Sequence, residues 1–150
     1  MAEPDPRTPG ADLLRVGRAG TVLVVATSAA AAAVPDPLGL VHAAVSVGLF
    51  ALGTVAMLWA YALGVTRSRT EQVDIGGLFL LAGEVAPASA RRALRVDLAV
   101  QVVAVVAAAS VRPFTEVAFG ILAPMGALGL MALWAGRHAV FPPKPPKQPA

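Results

Sequence analysis

The chain has 150 residues, of which 57% are hydrophobic and 14% charged, and its formal net charge is +3. Soluble domains contain about 25% charged residues, so this composition excludes a disordered chain and disfavours a water-soluble globule. Cysteine is absent and only two histidines occur, which excludes a disulfide framework and a thiolate metal site. The apolar residues lie in long uncharged blocks, a pattern typical of an integral membrane protein.

Four long apolar segments predict four transmembrane helices, because a spanning helix needs about 20 residues within a range of roughly 17–25. The predicted spans cover residues 16–34, 38–65, 90–111 and 116–136. The first segment is rich in alanine and follows basic residues, a pattern that also fits a cleavable signal peptide. We favour a span, because the second segment follows almost at once and leaves no exported domain for cleavage to release.

The links between the first and second spans and between the third and fourth are short and contain proline. Pro35 ends the first helix, and Asp36 is placed to cap the second. Pro113 ends the third helix, and Thr115 is placed to cap the fourth. The predicted fold is therefore an all-α integral membrane protein. Its four transmembrane helices form two antiparallel hairpins that pack as a bundle, with a short interfacial helix in addition.

Residues 66–89 form the predicted loop between the second and third spans, and residues 75–83 within it are mostly apolar. About ten apolar residues are too few to span a bilayer, so this segment is predicted to lie as a short helix at the membrane surface. A re-entrant segment is the alternative. The chain thus divides into a tail at 1–12, a membrane domain at 13–141 and a second tail at 142–150.

Both tails are rich in proline. The N-terminal tail is also charged and is predicted to be disordered. The C-terminal tail, with Lys144 and Lys147 among its prolines, is predicted to be extended polyproline. Its PxxP spacing would suit a proline-recognising domain. We favour a solvated basic tail, because composition alone accounts for that spacing.

The distribution of basic residues predicts the orientation of the chain. Of twelve lysines and arginines, all except Arg112 lie in or beside the two tails or between residues 66 and 97. Cytoplasmic loops carry an excess of Lys and Arg, so both termini and the central loop are predicted to be cytoplasmic. The expected location is the plasma (inner) membrane, with multiple passes. This distribution also explains the basic charge, so no nucleic-acid partner is predicted.

Three polar residues are candidate functional residues. His42 near the outer end of the second span could relay protons or bind a ligand, but we favour an interfacial histidine, because a relay needs a second titratable group at depth. Glu84 would be a semi-buried carboxylate if its segment re-enters the membrane, and the favoured alternative is that it pairs with Arg91 or Arg92 or faces the solvent beside the lipid. Gln101 is expected to hydrogen-bond between helices, with substrate contact as the weaker interpretation.

The third span carries basic residues in its cytoplasmic first turns, namely Arg91, Arg92 and Arg95. Long arginine side chains reach the headgroup region from such positions. These three residues are therefore candidates to hold anionic lipid headgroups.

Small residues recur at four-residue spacing in the second span, at Ala56, Ala60 and Gly64. Such spacing lets helices approach closely, either within the bundle or against another membrane protein or a second copy. We expect an accessory or scaffold subunit that packs against a larger membrane complex. This expectation follows from the small size of the chain and from helices suited to packing.

Two other functions are weighed against the accessory role. A small oligomeric transporter or channel is the alternative, with His42, Gln101 and Glu84 facing the pathway. An enzyme acting on a lipid through Glu84 and the arginines ranks last. No nucleotide-binding, zinc-protease or serine-hydrolase motif occurs in the sequence. The sequence therefore predicts no enzyme, no cofactor and no metal site.

Several residue strings resemble those of a group of small multi-spanning actinobacterial membrane proteins that have no assigned function. The strings are Arg67-Ser68-Arg69-Thr70-Glu71, Ile75-Gly76-Gly77-Leu78-Phe79, Val111-Arg112-Pro113-Phe114-Thr115, residues 119–126 and residues 134–138. The likeness covers about residues 60–141. It implies a plasma-membrane location and no enzymatic activity.

Overall fold

The computed structural model describes residues 9–145, and this part of the chain is all-helical. The helices are α1 (Ala11–Ala33), α2 (Pro35–Arg67), α3 (Ile75–Leu80), α4 (Ala88–Val111), a 3-10 segment (Glu116–Leu122) and α5 (Pro124–His138). Four stretches are long and apolar enough to cross a membrane: α1, α2, α4, and the 3-10 segment taken together with α5. The prediction of an all-helical protein with four such helices is confirmed.

Helices α1 and α4 pack along each other through buried residues that recur every three or four positions. This spacing places a row of side chains on one side of a helix. The row on α1 comprises Leu14, Gly17, Thr21, Val24, Ser28 and Ala31. The row on α4 comprises Ala90, Leu94, Asp97, Gln101, Val105 and Ala108. The first apolar segment is therefore part of the bundle in the described structure.

Helix α2 begins at Pro35, but Asp36 has φ −99° and ψ 122°, so regular helical geometry starts at Pro37. An extended residue before a proline is the geometry of a helix N-cap, the position predicted for Asp36. The helices extend beyond the predicted spans by up to five residues, from residue 16 back to Ala11 in α1. Backbone hydrogen bonding continues past the apolar residues, so hydropathy places helix ends less well than helix centres.

Helices α2 and α5 cross with their backbones almost in contact at glycines. A Cβ added to Gly53 would lie 2.2 Å from the carbonyl oxygen of Met125, and one added to Gly129 would lie 2.2 Å from the carbonyl oxygen of Gly53. Further along, Gly136 faces the Cα of Ala60. The predicted small-residue row of α2 thus faces the bundle interior at Ala60, where helix packing explains it.

The fourth apolar stretch is not one continuous α-helix. Residues from Glu116 form three-residue turns, in which the Ala123 amide donates to the Gly120 carbonyl at 2.9 Å. Regular α-helix begins at Pro124. Proline lacks an amide hydrogen and clashes with the preceding turn, so it is tolerated at the first turn of a helix but not in its interior. The sequence treated 116–136 as one span with Pro124 inside, whereas the structure divides it there.

Helix α3 packs against α5, and a cluster of buried apolar side chains contains residues of both helices. Trp134 lies in this cluster, fully buried, and its indole nitrogen donates to the Pro9 carbonyl at 3.0 Å. The cluster also contains Leu81, Met131 and Phe141. The predicted loop is too short for a core of its own, and it acquires one by docking on the ends of the long helices. This end of the bundle is called the α3 end below.

The C-terminal segment pairs with the start of the loop. The backbone N–H of Gln72 donates to the Pro142 carbonyl at 2.8 Å, and the backbone N–H of Lys144 donates to the Thr70 carbonyl at 2.9 Å. Proline has no backbone N–H to donate. Pro142 therefore takes part in this pairing through its carbonyl, and Lys144 supplies the donated N–H. The described part of the predicted polyproline tail is therefore an attached strand-like segment. Residues 1–8 and 146–150 of the predicted tails lie outside the described residues.

Candidate functional site

A buried polar cluster joins α1 to α4. The Arg18 Nε lies 2.8 Å from the Asp97 Oδ1, and the carboxylate side chain is 5% exposed. Thr21 and Gln101 are buried next to this pair, and the Gln101 amide nitrogen donates to the Thr21 hydroxyl oxygen at 2.9 Å. Gln101 was predicted to hydrogen-bond between helices, and the structure shows its partner on α1.

Asp97 was missed as an interior residue. In the sequence it follows Arg91, Arg92 and Arg95 within the predicted third span, so its neighbours give no sign of burial. On α4 it lies four residues before Gln101, which places both side chains on the face that contacts α1. Helical phase was the signal that could have found it. A carboxylate in apolar surroundings needs a charged or hydrogen-bonding partner, which Arg18 supplies.

The hydrogen bonds of Thr21 determine which amide atom of Gln101 is paired. The Thr21 hydroxyl donates its single hydrogen to the Gly17 carbonyl at 3.0 Å. It can therefore only accept from Gln101, so the amide NH₂ group faces Thr21. The Gln101 Oε1 atom is buried and has no hydrogen-bond partner among the described residues.

His42 forms a second buried polar contact, between α2 and α1. Its Nδ1 lies 3.1 Å from the Thr27 hydroxyl oxygen, and that hydroxyl donates to the Leu23 carbonyl at 2.9 Å. Nε2 is buried without a partner among the described residues, against Gly120 of the 3-10 segment. The His42 side chain is fully buried between helices. Its position at the level of the membrane interface stays a prediction.

The arginines at the start of α4 bond backbone carbonyls. The Arg95 guanidinium donates to the carbonyls of Leu80 and Leu81, at 2.9 and 3.2 Å, where α3 ends. Arg91 donates to the Gly83 carbonyl. Such bonds satisfy carbonyls that the end of a helix leaves unpaired.

Glu84 is exposed, and no ion pair joins it to an arginine within the part of the chain that the structure describes. An exposed carboxylate fits the solvent-facing form of the favoured alternative, and the described structure contains no ion pair between Glu84 and Arg91 or Arg92. The Arg91 guanidinium is instead directed to the chain turn at Gly83. Arg92 is exposed on α4, where an anionic headgroup could reach it.

Two further arginines tie helix ends together. Arg67 at the end of α2 donates to the carbonyls of Ala135, Gly136 and Ala139 at 2.7–3.4 Å, pairs with Glu71, and lies over the ring of Phe141. At the opposite end, Arg112 donates to the Ala32 carbonyl at 3.1 Å. A positive charge near the last carbonyls of a helix is favourable.

The candidate residues do not converge on one site. His42 is hydrogen-bonded to Thr27, whereas Gln101 is hydrogen-bonded to Thr21, which lies six residues before Thr27 on α1. Glu84 is exposed at the α3 end. Across residues 9–145, no three histidine, aspartate or glutamate side chains are grouped so that they could hold a metal ion. The chain matches no protein-family model, no curated protein and no solved structure. The resemblance to actinobacterial membrane proteins stays a prediction.

Proposed function

We propose that this chain is an accessory or scaffold subunit that packs against a larger membrane complex. The observation that carries the proposal is the outward face of α2. Exposed residues recur along it at alternating spacings of four and three, namely Ala44, Gly48, Ala51, Val55, Leu58, Ala62 and Val65. This is the spacing with which one helix packs along another, and its small residues permit close approach.

The interior of the bundle supports the same proposal. The charged pair Arg18–Asp97 and the Gln101–Thr21 hydrogen bond are made within the chain. Polar groups used in this way hold α1 against α4. The bundle is then a stable support whose outward faces remain available to lipid and to a partner helix.

We further propose the orientation in the plasma membrane. Arg67, Arg91, Arg92, Arg95 and Lys144 gather at the α3 end, and Arg112 lies at the opposite end. The positive-inside rule then supports a cytoplasmic α3 end with both termini there, and two antiparallel hairpins.

This orientation places α3 at the cytoplasmic surface of the membrane. Ile75 on α3 is 78% exposed, and Leu80 is half exposed. Apolar side chains on a short helix beside basic residues suit the boundary between headgroups and acyl chains. Arg92, which is exposed in the first turns of α4, supplies a positive charge for anionic headgroups at this surface.

The experiment that tests the accessory role compares purifications in nanodiscs from the native host. The tagged wild-type chain is expected to retain a larger membrane protein in fixed stoichiometry, measured by mass photometry and mass spectrometry. Gly48→Leu is expected to lose that partner, because a Cβ at Gly48 meets no atom within 4 Å and the bundle can accept the added side chain. Val47→Leu, on the adjacent exposed position, is the matched control. A chain that purifies alone or as a homo-oligomer contradicts the proposal.

The interrupted fourth stretch favours a second candidate function, a small oligomeric transporter or channel. Transporters use discontinuous helices at their binding sites. Here the 3-10 segment lies against the His42 Nε2, which has no hydrogen-bond partner among residues 9–145. Replacing His42, Gln101 and Glu84 by apolar residues should then abolish solute flux in proteoliposomes. Flux that persists in this triple variant rejects the transporter.

A further inference from the structure

A groove of about 350 Å³ lies between α1 and α2. Residues on its walls include Gly20, Leu23, Leu52 and Ala56, and α5 contributes Leu130. Leu52 is 69% exposed, so the groove opens on the outward surface of the bundle. In a membrane-spanning bundle that surface faces lipid, so a ligand would enter from the bilayer. The volume is at the lower end of the range for small-molecule sites, roughly 300–1,000 Å³.

Gln101 also lines this groove, and among the described lining residues it alone has a polar side chain. The side chain is 98% buried, since its exposed fraction is 2%. Its NH₂ group is committed to Thr21, because the Thr21 hydroxyl already donates to the Gly17 carbonyl. The Oε1 atom remains without a partner among the described residues. A buried acceptor that no protein group satisfies indicates a donor supplied from outside.

The position of Gln101 restricts the source of that donor. It lies thirteen residues beyond Ala88, which is about 20 Å along α4 at 1.5 Å per residue. This depth is inside the hydrocarbon region, where phospholipid headgroups do not reach. The nearest charges, Arg18 and Asp97, neutralise each other, so a charged ligand would find no counter-charge. The groove therefore favours a neutral molecule.

We infer that the groove binds a lipid-soluble molecule carrying a hydroxyl group, whose apolar body lies between α1 and α2 and whose hydroxyl donates to the Gln101 Oε1. Long-chain alcohols and hydroxylated isoprenoids belong to this class. A ketone, an ester or an ether of the same shape cannot donate and would leave the acceptor unpaired. Recognition of a hydroxyl by a buried acceptor discriminates strongly, because the competing molecule leaves that acceptor unsatisfied.

The experiment uses the full chain in phosphatidylcholine nanodiscs. Two probes are compared, a twelve-carbon alcohol with a photoreactive diazirine and its methyl ether. After illumination, the labelled peptides are identified by mass spectrometry. The alcohol is expected to label the peptides that contain Leu23 and Leu52 about tenfold more than the ether, the discrimination that one buried hydrogen bond provides.

Two variants locate the site. Gln101→Met removes the acceptor and keeps the side-chain length, so labelling by the alcohol should fall to the level of the ether. Gly20→Leu fills the groove and should abolish labelling by both probes, and a Cβ at Gly20 meets no atom within 4 Å, so the bundle accepts it. Val47→Leu, at an exposed position of α2 outside the groove lining, is the matched control and should label like the wild type.

Three outcomes would overturn the inference. Equal labelling by the alcohol and the ether, blocked by Gly20→Leu, would mean that acyl chains fill the groove without recognition of a hydroxyl. Selectivity that persists in Gln101→Met would place the hydrogen bond elsewhere. Labelling outside the groove in the wild type would reject the site. Thermal unfolding of each variant confirms that it is folded when labelled.

Discussion

At the residue scale, helical phase decides which polar side chains enter the interior. Leu94, Asp97 and Gln101 lie three and four residues apart on α4 and are all buried, whereas Arg95 between them is exposed. In the linear sequence Asp97 lies within the predicted third span beside Arg92 and Arg95, and its neighbours give no sign that it is buried. Its partner Arg18 lies on another helix, about 80 residues away, so the pairing depends on how α1 and α4 are rotated against each other.

The Arg18–Asp97 pair supports a prediction about stability. Asp97→Leu leaves the Arg18 guanidinium largely buried and without its counter-charge, which should lower the free energy of unfolding by about 3 kcal/mol. The double variant Arg18→Met with Asp97→Leu should recover most of that loss, because an apolar pair of similar volume replaces a buried ion pair at little cost. Thermal unfolding of the purified proteins in one detergent measures both. A double variant no more stable than Asp97→Leu would show that the pair is not coupled.

At the element scale, glycine and proline determine how the helices meet and where they break. Pro124 divides the fourth apolar stretch, and Gly53 and Gly129 let α2 and α5 approach until their backbones touch. The sequence predicted the existence of all four spans from hydropathy. It did not distinguish Gly53, which lies at the crossing, from Gly48, which faces outward on the same helix.

The two glycines therefore form a matched pair for a test of the crossing. Gly53→Ala places a Cβ 2.2 Å from the Met125 carbonyl oxygen, so the helices must separate. Overpacking of this kind should cost about 3 kcal/mol of unfolding free energy. Gly48→Ala meets no atom within 4 Å and should change the same quantity by less than about 1 kcal/mol. Unfolding of the isolated variants in detergent distinguishes them, and equal effects would contradict the crossing.

At the scale of the whole molecule, the two ends of the bundle differ. The α3 end is closed by an apolar cluster, a docked C-terminal segment and the Arg67 guanidinium, which joins α2 to the end of α5. The opposite end consists of short turns, and Phe114 in one of these turns is fully exposed. Under the proposed orientation the closed end is cytoplasmic and Phe114 faces the outside.

Cysteine labelling tests this orientation without background, because the chain contains no cysteine. Phe114→Cys and Glu84→Cys place single thiols at exposed positions on the two ends. In intact cells a membrane-impermeant maleimide should label Phe114→Cys and spare Glu84→Cys. Inside-out vesicles should give the reverse pattern. Labelling of Glu84→Cys in intact cells would invert the proposed topology.

The sequence by itself determined the class of fold and the number of helices that are long and apolar enough to span a membrane. The length of an apolar run is a local property of the sequence, and so is the position of a proline that interrupts it. Such local properties set where helices form. Helix ends were less well placed, because hydrogen bonding along the backbone extends α1 back to Ala11 regardless of side-chain polarity.

The tertiary structure alone decided the partners of the polar residues. His42 is buried against Thr27, and the Gln101 Oε1 in the groove has no partner within the part of the chain that the structure describes. Arg67 contacts the end of α5 instead of only marking a loop. These partners lie on different helices, and their contacts depend on how the helices are rotated and how far they separate. Side-chain packing across the whole bundle sets both quantities, so no local stretch of sequence contains them.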